Sequence, residues 1–504
     1  MQHVSESFSA FFRTRVLVLL ACGVFVNAAI GAAQSRGTFV RTGSMTSSRT
    51  GHTATLLSNG QVLIAGGALY RQQQFGAAVV LASVEVYDSA AGTFHAAASM
   101  TNARRSHTAT LLSDDRVLIV GGYGEGGAAL ASAELFDLAT ATFRPTGSLM
   151  TARGGHTTIL LPTGAVLVIG GYGTRAYPDV APAELYDPAT GTFKPAGTYV
   201  GRGGCDFCAP SVLLHDGTVL FPAQNPAQLY DPVSDSFSPS GAMSMELSAA
   251  ATLTNGDVLF AGGEPLGRSA DADLYNPATH TFVRTADMTS RRVWHTLSSL
   301  PDGTVLAAGG ETDSCSANAC FFAGSVATAE LYNPSAGAFV STGNMAIARG
   351  SHTATLLGDG RVLIAGGTSY GGIGIFGGTL DSAELYTPDR LVPAPKLVSL
   401  SGDGRGQGAI FHAGTTYAAT PDDPAAPEEE IDITYTGLSD SVFAPRVAIG
   451  GRMASVLSIT RAHSLTGVTQ VRVRVPRGIG SGPAIPVRLF HMDRPTNAVT
   501  VAVR

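Results

Sequence analysis

The chain has 504 residues, of which 44% are hydrophobic, 14% are charged and 61 are glycines. So many glycines indicate frequent tight turns and exclude a mainly helical protein. The formal net charge of −6 argues against a nucleic-acid-binding surface, which needs an excess of basic residues. The length allows one large domain and one smaller domain.

The N-terminal 33 residues have the pattern of an export signal. Arg13 and Arg15 precede an apolar run over 16–30, and small residues follow it. The run is too short to span a membrane. We therefore predict a signal peptide over 1–33, no transmembrane span, and a protein that is secreted or lies in the periplasm or cell envelope. A lipid anchor through Cys22 is the alternative.

One unit of about fifty residues recurs along the chain. Each full copy has Arg-x-x-His-Thr, a short hairpin, a Val-Leu-Ile strand that ends in Gly-Gly, and an Ala-Glu-Leu-Tyr-Asp strand followed by Thr-Phe. Repeats of this length indicate the four-stranded blades of a β-propeller. The double glycines begin at Gly66, Gly121, Gly170, Gly262, Gly309 and Gly366, and Val219-Leu220-Phe221-Pro222-Ala223 is a seventh, degenerate copy.

A phenylalanine in the outer strand predicts how the ring closes. It follows the aromatic residue of the third strand in six copies, but no phenylalanine follows Tyr386. The segment 37–45 carries the missing copy as Phe39. We therefore predict that this N-terminal strand supplies the fourth strand of the last blade and covers an otherwise exposed sheet edge.

The sevenfold pattern resembles the kelch propellers of bacterial proteins. The resemblance covers about 37–390 and implies a seven-bladed kelch β-propeller over 34–390. It implies no particular function, because a fold of this kind hosts many.

After Pro388 the repeat stops, and the composition changes. The segment 391–504 contains several short runs of alternating apolar and polar residues with turn residues between them. Such runs predict a β-sandwich. They resemble the immunoglobulin-like, TIG-type domains at the end of many exported bacterial proteins. The predicted fold class is therefore all-β, with a propeller followed by a sandwich.

The connections between the second and third strands are long and differ between blades. In an up-and-down blade they share one face with the Arg-x-x-His segments, while the opposite face carries short, uniform turns. Binding function is expected on the variable face. The long loops lie at about 68–82, 123–131, 172–181, 311–328 and 368–381.

Four cysteines would remain after removal of the signal peptide: Cys205, Cys208, Cys315 and Cys320. Export favours disulfides. Pairing Cys205 with Cys208 and Cys315 with Cys320 requires no long-range contact. A bridge between the two pairs and a four-thiolate zinc site are the alternatives that the sequence leaves open.

Five copies carry Arg-x-x-His together with a glutamate in the third strand. The copies that lack the histidine have Gln228 or Asp273 at the glutamate position. Because these residues are lost together, we predict that they satisfy one another in a structural network and do not form an anion-binding ring. The predicted network comprises Arg49, His52, Glu85, Arg104, His107, Glu134, Arg153, His156, Glu184, Arg292, His295, Glu330, Arg349, His352 and Glu384.

Two segments resemble the galactose oxidase and glyoxal oxidase family. Enzymes of that family hold copper with two tyrosines and two histidines, and one tyrosine is cross-linked to a cysteine. Phe207-Cys208-Ala209-Pro210 resembles the segment with the cysteine, and Arg292-Val293-Trp294-His295-Thr296 resembles a segment with a tyrosine–histidine ligand pair.

This chain departs from the family pattern at the other ligand positions. The resemblance places Leu247, Trp294 and Leu380 where the family has ligand groups, which leaves His295 as a single candidate copper ligand. One imidazole cannot build the site, and a radical mechanism needs a ligand tyrosine. The sequence therefore predicts no metal site, no cofactor and no catalytic residue.

These observations favour a binding or interaction module over an enzyme. We predict an exported kelch propeller that binds an unknown protein or glycan through its long-loop face. The alternative is an enzyme, either galactose oxidase-like and divergent or carbohydrate-active.

Overall fold

The computed structural model describes the chain in twelve stretches: 37–70, 78–173, 182–197, 210–222, 226–243, 247–263, 269–316, 319–371, 376–437, 445–461, 467–492 and 494–504. The predicted signal peptide, Cys205 and Cys208 lie outside these stretches. Within them, no helix has the length and apolar character that crossing a membrane requires.

Seven antiparallel sheets of four strands each form the propeller. Blade 1 has Thr53–Leu56, Val62–Ala65, Val84–Asp88 and Thr93–Ala97; blade 2 has Thr108–Leu111, Arg116–Val120, Ala133–Asp137 and Thr142–Pro145; blade 3 has Gly154–Leu160, Val166–Tyr172, Glu184–Asp187 and Thr192–Pro195. Blade 4 has Val212–Leu213, Val219–Phe221, Gln228–Asp231 and Ser236–Pro239; blade 5 has Leu247–Thr252, Val258–Gly263, Ser269–Asn276 and Thr281–Arg284. Blade 6 has Thr296–Ser299, Val305–Ala308, Ala329–Asn333 and Ala338–Ser341; blade 7 has Thr353–Leu356, Val362–Ala365, Ala383–Thr387 and Thr38–Arg41.

The second strand of each blade lies in the core between blades. All four residues of Val62–Ala65 are buried, which explains why the sequence shows no alternation there: both faces of the strand are covered. Residues of neighbouring blades share single apolar clusters, such as the one that unites Leu118 of blade 2 with Val168 of blade 3. The hydrophobic core is thus a series of interfaces between blades.

A tyrosine–phenylalanine pair repeats in the outer half of the blades. In blade 1 the ring centroids of Tyr87 and Phe94 are 4.8 Å apart. The hydroxyl group of Tyr87 also hydrogen-bonds to Thr42 Oγ1 at 2.9 Å, at the end of the preceding blade's outer strand. A buried phenol needs such a partner, and taking it from the neighbouring blade links the two sheets.

The N-terminal strand closes the ring. Thr38–Arg41 pairs antiparallel with Ala383–Thr387, and Phe39 lies opposite Tyr386 with its ring centroid 4.8 Å away. Met45, just after the strand, joins an apolar cluster that spans blades 7 and 1. Blade 7 therefore takes three strands from one end of the repeat region and one strand from the other.

The segment 391–504 folds around its own core, and the predicted all-β fold class is confirmed. Nine strands form one curled sheet: Lys396–Leu397, Ile410–His412, Glu430–Thr436, Arg446–Ile449, Arg452–Arg461, Val468–Arg474, Gly482–His491, Arg494–Pro495 and Val499–Val503. The long strand Arg452–Arg461 pairs first with Arg446–Ile449 and then with Val468–Arg474, so that it connects the two layers. Their inner faces meet around Ile433, Val471 and Val487.

Deleting residues 34–45 should destabilise the propeller, because blade 7 then loses its outer strand and Tyr386 loses its aromatic partner. We expect the melting temperature of the mature chain to fall by at least about 5 °C in calorimetry. Deletion of 34–36, which stops short of the strand, is the control. A truncated chain that melts at the same temperature as the control would show that the strand does not hold the ring closed.

Candidate functional site

Five buried ion pairs repeat in the blades that carry both arginine and glutamate. The distance from Arg Nη2 to Glu Oε1 is 2.5 Å for Arg49–Glu85, 3.0 Å for Arg104–Glu134, 2.6 Å for Arg153–Glu184, 2.8 Å for Arg292–Glu330 and 3.1 Å for Arg349–Glu384. Each pair lies within one blade and joins the linker before the first strand to the third strand.

Backbone groups form hydrogen bonds with the remaining donors and acceptors of each ion pair. Arg49 Nη1 donates to the carbonyls of Gly66 and Ser83 at 2.8 and 3.1 Å, and Glu85 accepts the N–H of Thr46 at 2.7 Å. Arg49 is fully buried. Burial lowers the pKa of Arg49, and the Glu85 carboxylate opposes that shift. A guanidinium group so enclosed is not exposed to a ligand in solution.

The histidines take different partners, and the predicted Arg/His–Glu network is divided in two. In four blades, His Nε2 hydrogen-bonds to a threonine in the first strand of the preceding blade. The pairs are His52 with Thr353 at 3.1 Å, His107 with Thr53 at 3.2 Å, His156 with Thr108 at 2.9 Å and His352 with Thr296 at 3.1 Å. The arginine–glutamate pairs therefore stabilise single blades, while the histidines connect neighbouring blades.

The double glycines make room for these histidines. A Cβ atom on Gly66 would lie 2.8 Å from His107 Cε1 and 2.5 Å from the Arg104 carbonyl oxygen, both in the next blade. A Cβ atom on Gly67 would lie 2.9 Å from His52 Cβ in the same blade. Both glycines have positive φ, at 61° and 98°. In blade 1, each glycine of the Gly-Gly pair thus leaves room for a different histidine segment, one from its own blade and one from the next.

The fifth histidine, His295 in blade 6, has no threonine partner in the preceding blade. Ala249 of blade 5 occupies the equivalent position, since it pairs with the residue just before the double glycine, as Thr53 does in blade 1. His295 is only 6% exposed, and neither of its ring nitrogens hydrogen-bonds to a residue that the structure describes. Burial lowers its pKa to about 3, so the imidazole is neutral near pH 7.

Three long-loop hairpins form a continuous surface, which we call the hairpin crest. It consists of Ala68–Tyr70 with Ala78–Val80 on blade 1, Glu311–Ser316 with Ala319–Ser325 on blade 6, and Thr368–Tyr370 with Phe376–Thr379 on blade 7. The three blades are consecutive around the ring. The crest shares the face of the Arg-x-x-His linkers, because Thr50 bridges Ala68 and Gly350 bridges Thr368.

Neighbouring hairpins of the crest are tied together. The N–H of Tyr70 donates to Thr379 Oγ1 at 2.9 Å, which joins blade 1 to blade 7. The N–H of Tyr370 donates to Ser325 Oγ at 3.0 Å, which joins blade 7 to blade 6. The two contacts are equivalent, because Tyr70 and Tyr370 are each the third residue after a double glycine. They join the three hairpins into one surface.

Aromatic rings from two hairpins meet on the crest. The ring of Phe376 lies 5.0 Å from that of Tyr370 and 6.4 Å from that of Tyr70, and all three residues are half-buried. The carboxylate of Glu311 lies nearby, buried, and a Cβ atom on Gly350 would lie 2.9 Å from its Cγ. Burial raises the pKa of Tyr370, and Glu311 raises it further.

The cysteines are only partly placed by the structure. Cys315 and Cys320 lie directly opposite each other in the blade 6 hairpin. Opposed residues of an antiparallel pair have Cα separations within the range that disulfides need. The disulfide itself stays a prediction, and so does the pairing of Cys205 with Cys208.

No protein-family model and no curated protein matches the sequence. A solved structure does: a fungal alcohol oxidase of the AA5 family, in complex with copper. The similarity covers 93% of this chain and 99% of that chain, with a TM-score of 0.57 and 17% identical residues. At this identity the similarity shows the fold, which is that of a seven-bladed propeller with a β-sheet domain.

The residues present do not fit the copper of that structure. At the positions where the sequence resemblance places ligands, this chain has Leu247, Trp294 and Leu380, whose side chains cannot coordinate the metal. Across the described stretches, no group of three or more histidine, cysteine, aspartate or glutamate side chains could hold a metal ion. No catalytic step through copper follows from this arrangement.

Glu134→Ala should destabilise the protein by about 3 kcal/mol, because Arg104 would keep a buried charge without its carboxylate. The matched control is Gln228→Ala at the equivalent position of blade 4, which removes no charge and should cost clearly less. Urea unfolding of both variants measures the difference. Equal costs would show that the ion pair is not what stabilises the blade.

Ala249→Thr should stabilise the protein by about 1 kcal/mol, because the new hydroxyl group can reach His295 Nε2 as Thr53 reaches His107. The gain should disappear in the His295→Ala background. Thermal unfolding of the two single variants and the double variant tests this. A gain that survives without the imidazole would assign it to better strand packing.

Proposed function

We propose that this protein is a binding module and that the hairpin crest is its ligand site. The supporting observation is the linkage of three loops from consecutive blades through Tyr70–Thr379 and Tyr370–Ser325 hydrogen bonds. The same type of contact occurs twice, between blades 6 and 7 and between blades 7 and 1, and it joins the three hairpins into one surface. Rigid elements position binding groups more accurately than free loops do.

The ligand we propose is uncharged. The five network arginines are fully buried and bonded to glutamates, so they supply no positive surface. Among the described crest residues the charged ones are Glu311 and Asp313, of which Glu311 is buried. Neither a phosphorylated nor a strongly basic ligand fits such a surface.

An oligosaccharide fits the crest better than a peptide strand. Sugar rings present C–H groups that pack on aromatic faces, and their hydroxyl groups bond to nearby polar groups. Tyr70, Tyr370 and Phe376 supply such rings. A peptide would bind by adding a strand to a free edge, but the Tyr70 and Tyr370 N–H groups already donate to Thr379 and Ser325. Export, which the N-terminal pattern predicts, would place the site where glycans occur.

A glycan array with the mature chain tests the proposal. We expect binding to neutral oligosaccharides, and Phe376→Ala should weaken it at least about tenfold because both neighbouring rings lose their packing partner. Tyr417→Ala is the control, since Tyr417 lies in the C-terminal domain and is 71% exposed. If the protein bound only other proteins, and Phe376→Ala weakened that binding, the crest would remain the binding site but the ligand would not be a glycan. Glycan binding that Phe376→Ala leaves intact would exclude the crest.

A divergent oxidase is the second candidate, and His295 is the observation that favours it. This buried imidazole has no described hydrogen-bond partner and belongs to the segment that resembles a ligand pair. The mature chain would be loaded with copper and assayed for stoichiometric binding and for peroxide release from primary alcohols. Tight one-to-one binding that is lost in His295→Ala would support this candidate, and its absence would remove it.

A further inference from the structure

One turn of the propeller departs from the other six. Between the first and second strands, six blades have a glycine with φ between 85° and 94°: Gly60, Gly164, Gly217, Gly256, Gly303 and Gly360. Blade 2 has Asp115 there, with φ at 70°. A residue with a Cβ atom is less favoured than glycine in this conformation, although aspartate tolerates it better than most, so the contacts of this side chain are of interest.

The side chain of Asp115 contacts the C-terminal domain. Its carboxylate forms an ion pair with Arg488, which is 9% exposed. The hydroxyl group of Ser113, in the same turn, donates to the Gly451 carbonyl. The neighbouring Asp114 instead pairs with Arg116 beside it. The residue in the strained position is thus the one that reaches the other domain.

Apolar packing accompanies the ion pair. Met453, two residues after Gly451, packs on the core cluster shared by blades 2 and 3, which includes Leu112 and Leu160. At the turn of blade 2, the two domains thus meet through a charged pair, a hydrogen bond and an apolar contact.

A second attachment lies on blade 7. The N–H of Ala394 donates to the Gly358 carbonyl at 2.6 Å, in the equivalent turn of blade 7. Arg494 of the C-terminal domain is 1% exposed and donates from Nη1 to the Val392 carbonyl at 2.9 Å. The interdomain linker is thus bonded to blade 7 through Ala394 and to the C-terminal domain through Val392.

We propose that the C-terminal domain is a brace across the seam of the propeller, locked at its far end by Asp115 and Arg488. The seam lies where Thr38–Arg41 pairs with blade 7, and blade 1 follows it in the chain. If that strand detached, blades 7 and 1 would separate. The domain is attached to blade 7 and grips blade 2, on the other side of blade 1, so opening the seam would also break the Asp115–Arg488 contact.

A double-mutant cycle tests the Asp115–Arg488 contact, because Asp115→Gly should change the melting temperature in opposite directions with and without Arg488. If the turn alone mattered, Asp115→Gly would raise the melting temperature, because glycine is favoured at this φ. We expect Asp115→Gly to lower it in the full chain and to raise it in the Arg488→Met background. Gly60→Asp calibrates the backbone strain, because a Cβ atom at Gly60 meets no atom within 4 Å. A stabilising Asp115→Gly in the otherwise unchanged chain would overturn the lock.

Hydrogen exchange of the full chain tests the brace. Arg488→Met should speed amide exchange in Thr38–Arg41 about tenfold and leave Val258–Gly263 of blade 5 unchanged, because only the seam depends on the brace. Uniformly faster exchange in both strands would indicate general destabilisation and overturn the proposal. Unchanged exchange in both would show that the domain does not support the seam.

Discussion

The close approach of neighbouring blades at the double glycines is the constraint on which the propeller depends. One glycine lies against the histidine of its own blade and the other against the arginine carbonyl and histidine of the next, so each blade is shaped by two segments at once. The neutral imidazole then bonds to a threonine across the same gap. Substitutions of the glycine, the histidine and the threonine at one such contact should therefore not be additive.

Blades 4 and 5 illustrate this dependence. Blade 5 lacks the histidine, and blade 4, which would have to make room for it, has Pro222-Ala223 in place of the double glycine. Blade 5 keeps its double glycine because blade 6 supplies His295, and a Cβ atom on Gly262 would lie 2.5 Å from the Cε1 atom of that imidazole. Blade 3 keeps its double glycine although blade 4 lacks the histidine, and there a Cβ atom on Gly170 would lie 3.6 Å from the ring of Phe221. The matched loss therefore holds for blades 4 and 5 but not for blades 3 and 4.

The repeat allowed the fold class to be predicted, because seven copies reveal a period and the misplaced Phe39 reveals the closure. The partner of each histidine could not be found in the same way, since the contact joins different positions of two copies. The threonine that follows every one of these histidines, and its absence at Ala249, were the available signals. The crest lies in loops that differ in length and mostly in sequence, so the sequence does not predict that Tyr70 and Phe376 meet. The sequence shows Asp115 in the one turn between first and second strands that has no glycine. It does not predict the partner, Arg488, which lies more than three hundred residues away.

The two faces of the propeller have separate roles in this arrangement. Short turns on one face receive the C-terminal domain at blades 2 and 7, where Met453 and Arg494 make their contacts. Among the described residues, the hairpins on the opposite face are bonded to one another. A scaffold divided in this way lets the loops of blades 6, 7 and 1 vary in sequence without affecting the attachment of the second domain.

The buried histidines also set a limit on the acidity that the protein can tolerate. Burial lowers the pKa of His52, His156 and His295 to about 3, and holds the pKa of His107 and His352 well below the usual value of 6.5. Since the unfolded chain binds these protons more readily, the stability that the neutral imidazoles retain above pH 6.5 declines as the pH falls from there towards 3. The propeller contains five such histidines, and each contributes to this loss of stability. A fall in pH should therefore weaken all the histidine-bearing interfaces together.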